Sequence, residues 1–248
     1  MLLFNAFIKI CKRDIKILFR LKINLIASIV GPVAWLAVLG SLPMSTNSGR
    51  YLDYVTPGIM VMSVMMPSLQ SGLLTSADKI YGYLKKIFAT PTPRPVIAMG
   101  KITAAMSKGM IHLSAVLATA WILGARMEGG LAGLLLVFGC ALFFAMGLSA
   151  LSIFIAFKVA DLHGFGAIIS LVSLPLFLAS SALMPLDKMP AWLRCVASIN
   201  PVTYIIDISR KIMLTGNISG CGLILLILIS FALSMIILCM RTFEKGFE

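Results

Sequence analysis

Lys101, Lys108 and His112 are spaced seven and four residues apart, which puts all three on one face of a helix. Lys108 and His112, one turn apart, would be the candidate sites of an ion- or proton-coupled carrier. Gln70, in an earlier apolar run, adds an amide that needs a hydrogen-bonding partner away from water. Asp161 and His163 are two residues apart and could exchange a proton, but no third group is placed to complete a catalytic set, so a solvated loop pair is the simpler reading. The five cysteines, Cys11, Cys140, Cys195, Cys221 and Cys239, form no C-x-x-C pair and have no histidine at zinc-ligand spacing. Small apolar filling is their expected role, with a Cys195–Cys221 disulfide open as an alternative. The chain has no G-x-x-x-x-G-K-[ST] loop and no nucleophile–histidine–acid set, and no Asp or Glu falls in the middle of an apolar run. Enzymatic activity is therefore not expected, and any energy source must lie in another subunit. No metal site is expected.

These residues sit in a chain of 248 residues that is 60% hydrophobic and 12% charged, with a mean hydropathy of +1.02. Soluble domains carry about twice that charged fraction. The composition implies a polytopic, all-α membrane protein forming one transmembrane domain, 1–248, with room for six spans of about 20 residues each. The net charge of +12 could suggest nucleic acid, but the Lys and Arg residues cluster in alternate loops, the pattern that orients membrane proteins.

In chain order, residues 2–20 place Asn5, Lys9, Lys12, Arg13, Lys16 and Arg20 at three- and four-residue steps, which predicts a basic amphipathic helix in the membrane interface. Spans are expected at about 23–42, 54–77, 102–124, 131–157, 165–183 and 222–240. Pro67 and Gln70 fall inside the second span, where a packed kink is the simpler reading and a substrate contact the alternative. Lys108 is expected to snorkel to the near interface or to face a polar cavity. Gly139, Ala145, Gly147, Ser149 and Ala150 would let the fourth span pack closely.

The segment Asp78–Lys101 is the longest polar interruption in the first half. Helical spacing over Asp78–Phe88 sets Ile80, Leu84, Ile87 and Phe88 against Lys79, Lys85 and Lys86 and predicts one short amphipathic helix. The run TPTPRP then forces a stiff turn. Before the last span, residues 183–216 are too polar to cross in one piece. Two short helices, Leu193–Ile199 and Tyr204–Met213, are expected on either side of Asn200–Pro201, with Trp192 and Tyr204 at headgroup depth.

Lys and Arg number six before the first span, six from Lys79 through Lys108, one at Lys158 and two at the end, or fifteen on one side against six on the other. That bias predicts a multi-pass protein of the cell membrane, plasma or inner, with both termini and the Asp78 segment in the cytoplasm.

At this point the chain resembles the membrane subunits of ABC-2 type exporters, particularly the daunorubicin-resistance and nodulation-factor group. The resemblance spans nearly the whole chain. It rests on the amphipathic first helix, on Tyr54-Val-Thr-Pro-Gly58, and on Tyr83 through Lys101, which is similar to the family's L-x-x-L-x-x-T-P-x-x-R-x-x-I-x-x-G-K pattern. It also rests on Met184-Pro185 through Arg210, containing P-L-D-K-M-P-A-W-L-R, N-P-V-T-Y and D-I-S-R. The family commonly approaches the coupling segment through an acidic E-x-G-T-like motif, where this chain reads Asp78-Lys-Ile-Tyr-Gly82.

The resemblance implies a permease subunit that dimerises, as homodimer or heterodimer, and pairs with an ATP-binding-cassette ATPase that binds the ATP and magnesium; the permease itself holds no cofactor. It implies a coupling surface at Asp78, Lys79, Tyr83, Leu84, Lys85, Lys86, Phe88 and Arg94. The same resemblance implies an outer gate built from Pro185, Trp192, Arg194, Asn200, Pro201, Tyr204, Asp207 and Arg210, in re-entrant helices before the last span. Gln70, Lys108 and His112 are candidates for the pathway. A drug, lipid or glycolipid suits a wall of Met, Phe, Leu, Ser and Gly; an ion-coupled secondary transporter is the alternative function.

Overall fold

The computed structural model describes residues 2–20, 22–41, 45–46 and 49–245. Ten α-helices run along them: α1 Leu2–Arg20, α2 Lys22–Gly40, α3 Tyr51–Ile80, α4 Tyr83–Phe88, α5 Arg94–Ile122, α6 Gly130–Lys158, α7 Leu162–Leu178, α8 Ala191–Ile199, α9 Pro201–Thr215 and α10 Cys221–Lys245. A 3-10 turn at Leu186–Lys188 precedes α8. Between α2 and α3, Ser45–Thr46 pairs antiparallel with Gly49–Arg50, a two-residue hairpin that the all-helical expectation lacked. Leu42, the expected end of the first span, and the tail 246–248 lie outside the described residues.

Four helices, α2, α3, α6 and the Cys221–Phe243 part of α10, are long and apolar enough to cross a membrane. α5 has the length, 29 residues or about 43 Å at the usual rise, but carries Arg94, Lys101, Lys108 and His112. α7 has 17 residues and stops at Leu178, five short of the expected end. Pro175 lies inside it, in the last turn.

α3 is the central helix, packed on α2, α5, α6, α7 and α9. It starts three residues before Tyr54, so Thr56-Pro57-Gly58 lies in its second turn. Proline removes a backbone donor, and α3 holds both Pro57 and Pro67. The hydroxyls of Thr56, Ser63 and Ser68 donate to the carbonyls of Leu52, Met60 and Val64, each at 2.7 Å, which keeps these polar groups satisfied within their own helix. Across the contact with α6, the Gly72 amide donates to Ser152 Oγ at 3.0 Å, and Ser152 Oγ donates to the Leu69 carbonyl. A Cβ on Gly72 would meet the Phe165 ring at 2.7 Å as well as the Ser152 carbonyl, so only glycine admits this approach.

On α6, Ala145, Ser149 and Ala150 are buried and Gly147 lies under Phe231 and Ala232 of α10, as close packing requires; a Cβ added at Gly139 would meet open space. One apolar core runs through α3, α6 and α9. A second gathers Ile10, Leu84, Ile97, Ile102, Ile153, Phe157 and Phe243 where α1, α4, α5, α6 and α10 meet.

The single helix expected over Asp78–Phe88 is two. α3 continues to Ile80, and the chain turns at Tyr81–Gly82 before α4. Gly82 has φ +75°, a conformation that glycine alone enters without steric cost. The apolar spacing continues across the break, so periodicity did not reveal it. Helix α5 begins at Arg94, earlier than expected, with Pro95 in its first turn where a missing N–H leaves no bond unmade.

Candidate functional site

Two polar clusters and one cavity organise the molecule. The first cluster joins α1, α3 and α5. Asp78, in the last turn of α3, accepts from Arg13 Nη2 at 2.5 Å and Nη1 at 2.8 Å, and from Lys101 Nζ at 2.5 Å. Asp14 accepts from Arg13 at 2.9 Å and lies 3.7 Å from Lys101. Asp14, Asp78 and Lys101 are buried. Two carboxylates and two cations balance, which is what makes burying four charges tolerable. Burial pushes the Asp14 carboxyl above the ordinary range, against the pull of Lys101 and Arg13. Burial is the largest single influence on Arg13 and opposes its charge, yet the bond to Asp78 together with the attraction of Asp78, Asp14 and Tyr83 outweighs it and holds the guanidinium more firmly protonated than usual. Arg13 also lies 3.8 Å over the Tyr83 ring, tying α1 to α4.

The outward basic face expected of α1 holds for every cation on it but one. Lys9, Lys12, Lys16 and Arg20 are exposed, but Arg13 turns inward beside Asp14, a residue the sequence reading passed over. Of the expected coupling residues, Asp78 is buried in the ion cluster, and Lys79 donates to the carbonyls of Phe157 and Val159 at 2.8 and 3.0 Å, closing the end of α6. Leu84 is fully buried and Phe88 packs edge-on against Phe243. Arg94 donates to the Phe243 carbonyl at 3.4 Å. Lys85 and Lys86 are exposed.

A cavity of about 540 Å³ lies between α1, α2, α3 and α5, within the range of small-molecule sites. Gln70 and Lys108 both line it, so Lys108 takes the cavity-facing option and not the simple snorkelling position. His112 sits behind the wall. Its Nδ1 lies 2.8 Å from the Lys108 carbonyl, which makes Nδ1–H the donor, and in the neutral ring Nε2 accepts from the Ser28 hydroxyl at 2.7 Å. The structure thus brings the three pathway candidates together.

The second cluster lies at the far ends of the helices. Asn200 Nδ2 donates to the carbonyls of Leu176 and Ala179 at 2.7 and 2.8 Å, while its Oδ1 accepts from the Val202 amide at 2.9 Å. One side chain therefore caps α9 and satisfies the end of α7. Pro201 is the first residue of α9. Arg210 lies 4.0 Å over the Tyr54 ring, donates to the Ser181 carbonyl at 2.7 Å and pairs with Asp207 at 3.4 Å. Asp207 also accepts from the Ser181 hydroxyl at 2.5 Å. Arg194 donates to the carbonyls of Leu186 and Asp187 at 3.0 and 2.8 Å, and Tyr204 to that of Ser198 at 2.6 Å. Pro185 opens the 3-10 turn and Trp192 is exposed. Helices α8 and α9 are separated at Asn200–Pro201 as expected, but both are longer than expected, and α9 is packed in protein against α3 and α6.

Asp161 caps α7 by accepting from the Gly164 amide at 2.5 Å, and His163 is exposed, which accounts for the pair structurally. Cys195 and Cys221 are free thiols, one exposed and one buried, so the disulfide alternative does not hold. Asp53 was missed as Asp14 was: it is buried and accepts from the Arg126 amide at 2.9 Å. Each is an acidic residue close to a helix start or a basic run, where solvent exposure is the default expectation.

The chain is 29% identical over 195 residues to the transport permease ycf38 of Cyanophora paradoxa, covering 76% of this chain and 67% of that one. It is 24% identical over 216 residues to the daunorubicin resistance ABC transporter permease protein DrrB1 of Streptomyces coeruleorubidus, covering 82% and 73%. With the multidrug ABC transporter permease YbhS of Escherichia coli K12 it shares 25% identity over 170 residues, 66% of this chain and 44% of the relative. The family model described as ABC-2 type transporter matches residues 5–214, and this chain belongs to that family.

Proposed function

We propose that this chain is the permease subunit of an ATP-driven exporter, moving an amphipathic or lipid-like compound out of the cytoplasm or the inner leaflet. It crosses the cell membrane six times through α2, α3, α5, α6, α7 and α10, with both termini and α4 in the cytoplasm. Helices α8 and α9 dip into the outer leaflet, and two permease copies, identical or paired with a related chain, assemble with ABC ATPase subunits that bind ATP and magnesium. The observation that carries the reading is the mounting of α4. Leu84 and Phe88 anchor it in the second core, Arg13 clamps Tyr83, and Lys85 and Lys86 are left facing solvent. A short helix held rigidly on one side and basic on the other can transmit a partner's movement to α3 and α5 through Asp78 and Lys101. Asp78 and Lys79 then serve as the mount behind the docking surface.

The coupled outer end is the Asn200 and Arg210 cluster, which ties α9 to α7 and α3 and would form the external gate. The ion-coupled alternative draws on Lys108 and His112. The two readings separate in vesicles containing the complete complex. The exporter predicts substrate movement that requires ATP, is abolished by vanadate and survives an uncoupler. Transport that survives vanadate and collapses with the uncoupler would replace it with the carrier.

A further inference from the structure

The cavity between α1, α2, α3 and α5 carries an uncompensated charge. Four of the nearby ionised groups, Arg13, Asp14, Asp78 and Lys101, neutralise one another through contacts of 2.5 to 3.7 Å. Lys108, two helical turns further along α5 than Lys101 and about 10 Å deeper at the usual rise, has no ion pair or hydrogen bond to its ammonium among the described residues. The adjacent imidazole does not supply one, because both nitrogens of His112 are engaged by the Lys108 carbonyl and Ser28. A lone ammonium inside a membrane bundle is costly and is retained where it meets a partner. The wall beside it is divided. Asn24, Ser28 and Gln70 offer polar groups, while Leu25 and Leu74 line the same space with hydrocarbon, and Leu73 on the rim is 44% exposed towards the outside of the bundle.

We infer that this cavity is a binding site for an anionic amphiphile, whose phosphate or carboxylate head pairs with Lys108 and whose chain lies along Leu25, Leu73 and Leu74. The inference rests on the exporter reading only for what happens next: a site of this chemistry, open at its rim and near the end of the bundle that carries α1 and α4, would select anionic over zwitterionic amphiphiles before transport. A free anion such as inorganic phosphate shares the head-group chemistry but would leave the apolar wall unfilled.

The test is native mass spectrometry of the delipidated full-length chain titrated with phosphatidylglycerol, with phosphatidylcholine as the zwitterionic comparison and inorganic phosphate as competitor. Wild type is expected to prefer phosphatidylglycerol by about tenfold, because both lipids offer Lys108 a phosphate but phosphatidylcholine also brings a quaternary ammonium towards the buried lysine. Lys108→Gln should reduce that preference to near unity, Lys108→Arg should keep it, and Lys158→Gln, an exposed lysine outside the cavity, should not change it. Size-exclusion profiles and thermal midpoints of the variants identify any that fail to fold, and Lys108→Met, which keeps the hydrocarbon stem and removes the charge, must show the same loss of preference if Lys108→Gln fails to fold. A preference unchanged in Lys108→Gln, or full displacement of the lipid by millimolar phosphate, overturns the site. Lys108-dependent binding in a complex without ATP-driven export keeps the site and removes the exporter reading. Vanadate-sensitive export with no Lys108-dependent binding does the reverse.

Discussion

Asp78→Ala is expected to destabilise this protein more than any other single removal of a charge. Lys101 would lose its 2.5 Å partner while remaining buried, and Lys101 and Arg13 would be left to share Asp14, which lies 3.7 Å from the lysine and 2.9 Å from the arginine. Breaking a buried ion pair on one side costs about 3–5 kcal/mol, because the two cations then outnumber the one carboxylate left to them and the excess charge is held away from water. For a chain of this size that corresponds to a fall on the order of ten degrees in the thermal midpoint of the detergent-solubilised protein at a fixed scan rate. Two comparisons separate this from general damage. Adding Lys101→Met to the Asp78→Ala background removes the stranded ammonium and should recover much of the loss, since Arg13 is partly exposed and can find water. Asp14→Asn should cost far less than Asp78→Ala, because burial already disfavours the Asp14 carboxylate and a neutral amide keeps its shape. If Asp78→Ala melts like wild type, or Lys101→Met fails to rescue it, the ion cluster does not hold α1, α3 and α5 together.

The second large effect is expected at Asn200, where the order of substitutions is diagnostic. Asn200→Ala removes the cap on α9, worth about 0.5–2 kcal/mol, and leaves two carbonyls, of Leu176 and Ala179, without their donor. Stranding a buried polar group costs about 1–3 kcal/mol. Asn200→Asp would be the mild change if capping were the residue's main task, since a carboxylate accepts from the Val202 amide at least as well. It cannot donate, however, and would set a negative charge against two carbonyl oxygens. Export is therefore expected to fall at least tenfold in both variants, with Asn200→Asp no better than Asn200→Ala. An aspartate that restores export would reduce Asn200 to a simple helix cap and dissociate it from the end of α7.

The difference between Asp78 and Asn200 also shows what the sequence makes legible. Asn200–Pro201 was readable because both residues act locally: proline cannot continue a helix from its N-terminal side, and asparagine caps the next one. The long apolar runs that became α2, α3, α6 and α10 were readable for the same reason, since hydropathy is a property of the segment itself. The ion cluster was not, because Arg13 and Asp78 are 65 residues apart and only tertiary packing brings them together. Arg13 shares helical spacing with Lys9 and Lys16, so periodicity assigned it to the wet face. The break at Gly82 was obscured because Ile80, Leu84 and Ile87 keep their spacing across it. Lys108, Gln70 and His112 could be singled out as costly residues in apolar surroundings, but the cavity that Gln70 and Lys108 line, with His112 behind its wall, exists only once α2 packs against α3 and α5.

The central claim, that α4 is where a partner ATPase docks, is tested most directly by purifying the tagged protein from its native membrane in mild detergent and quantifying what accompanies it. The account predicts an ATP-binding-cassette subunit in equal amount to the permease, lost when Lys85 and Lys86 are both changed to glutamate, while the variant still inserts and folds because both side chains face solvent. An equal yield of that subunit with the doubly reversed α4, or a pure and folded permease that comes down with no nucleotide-binding protein, would contradict it.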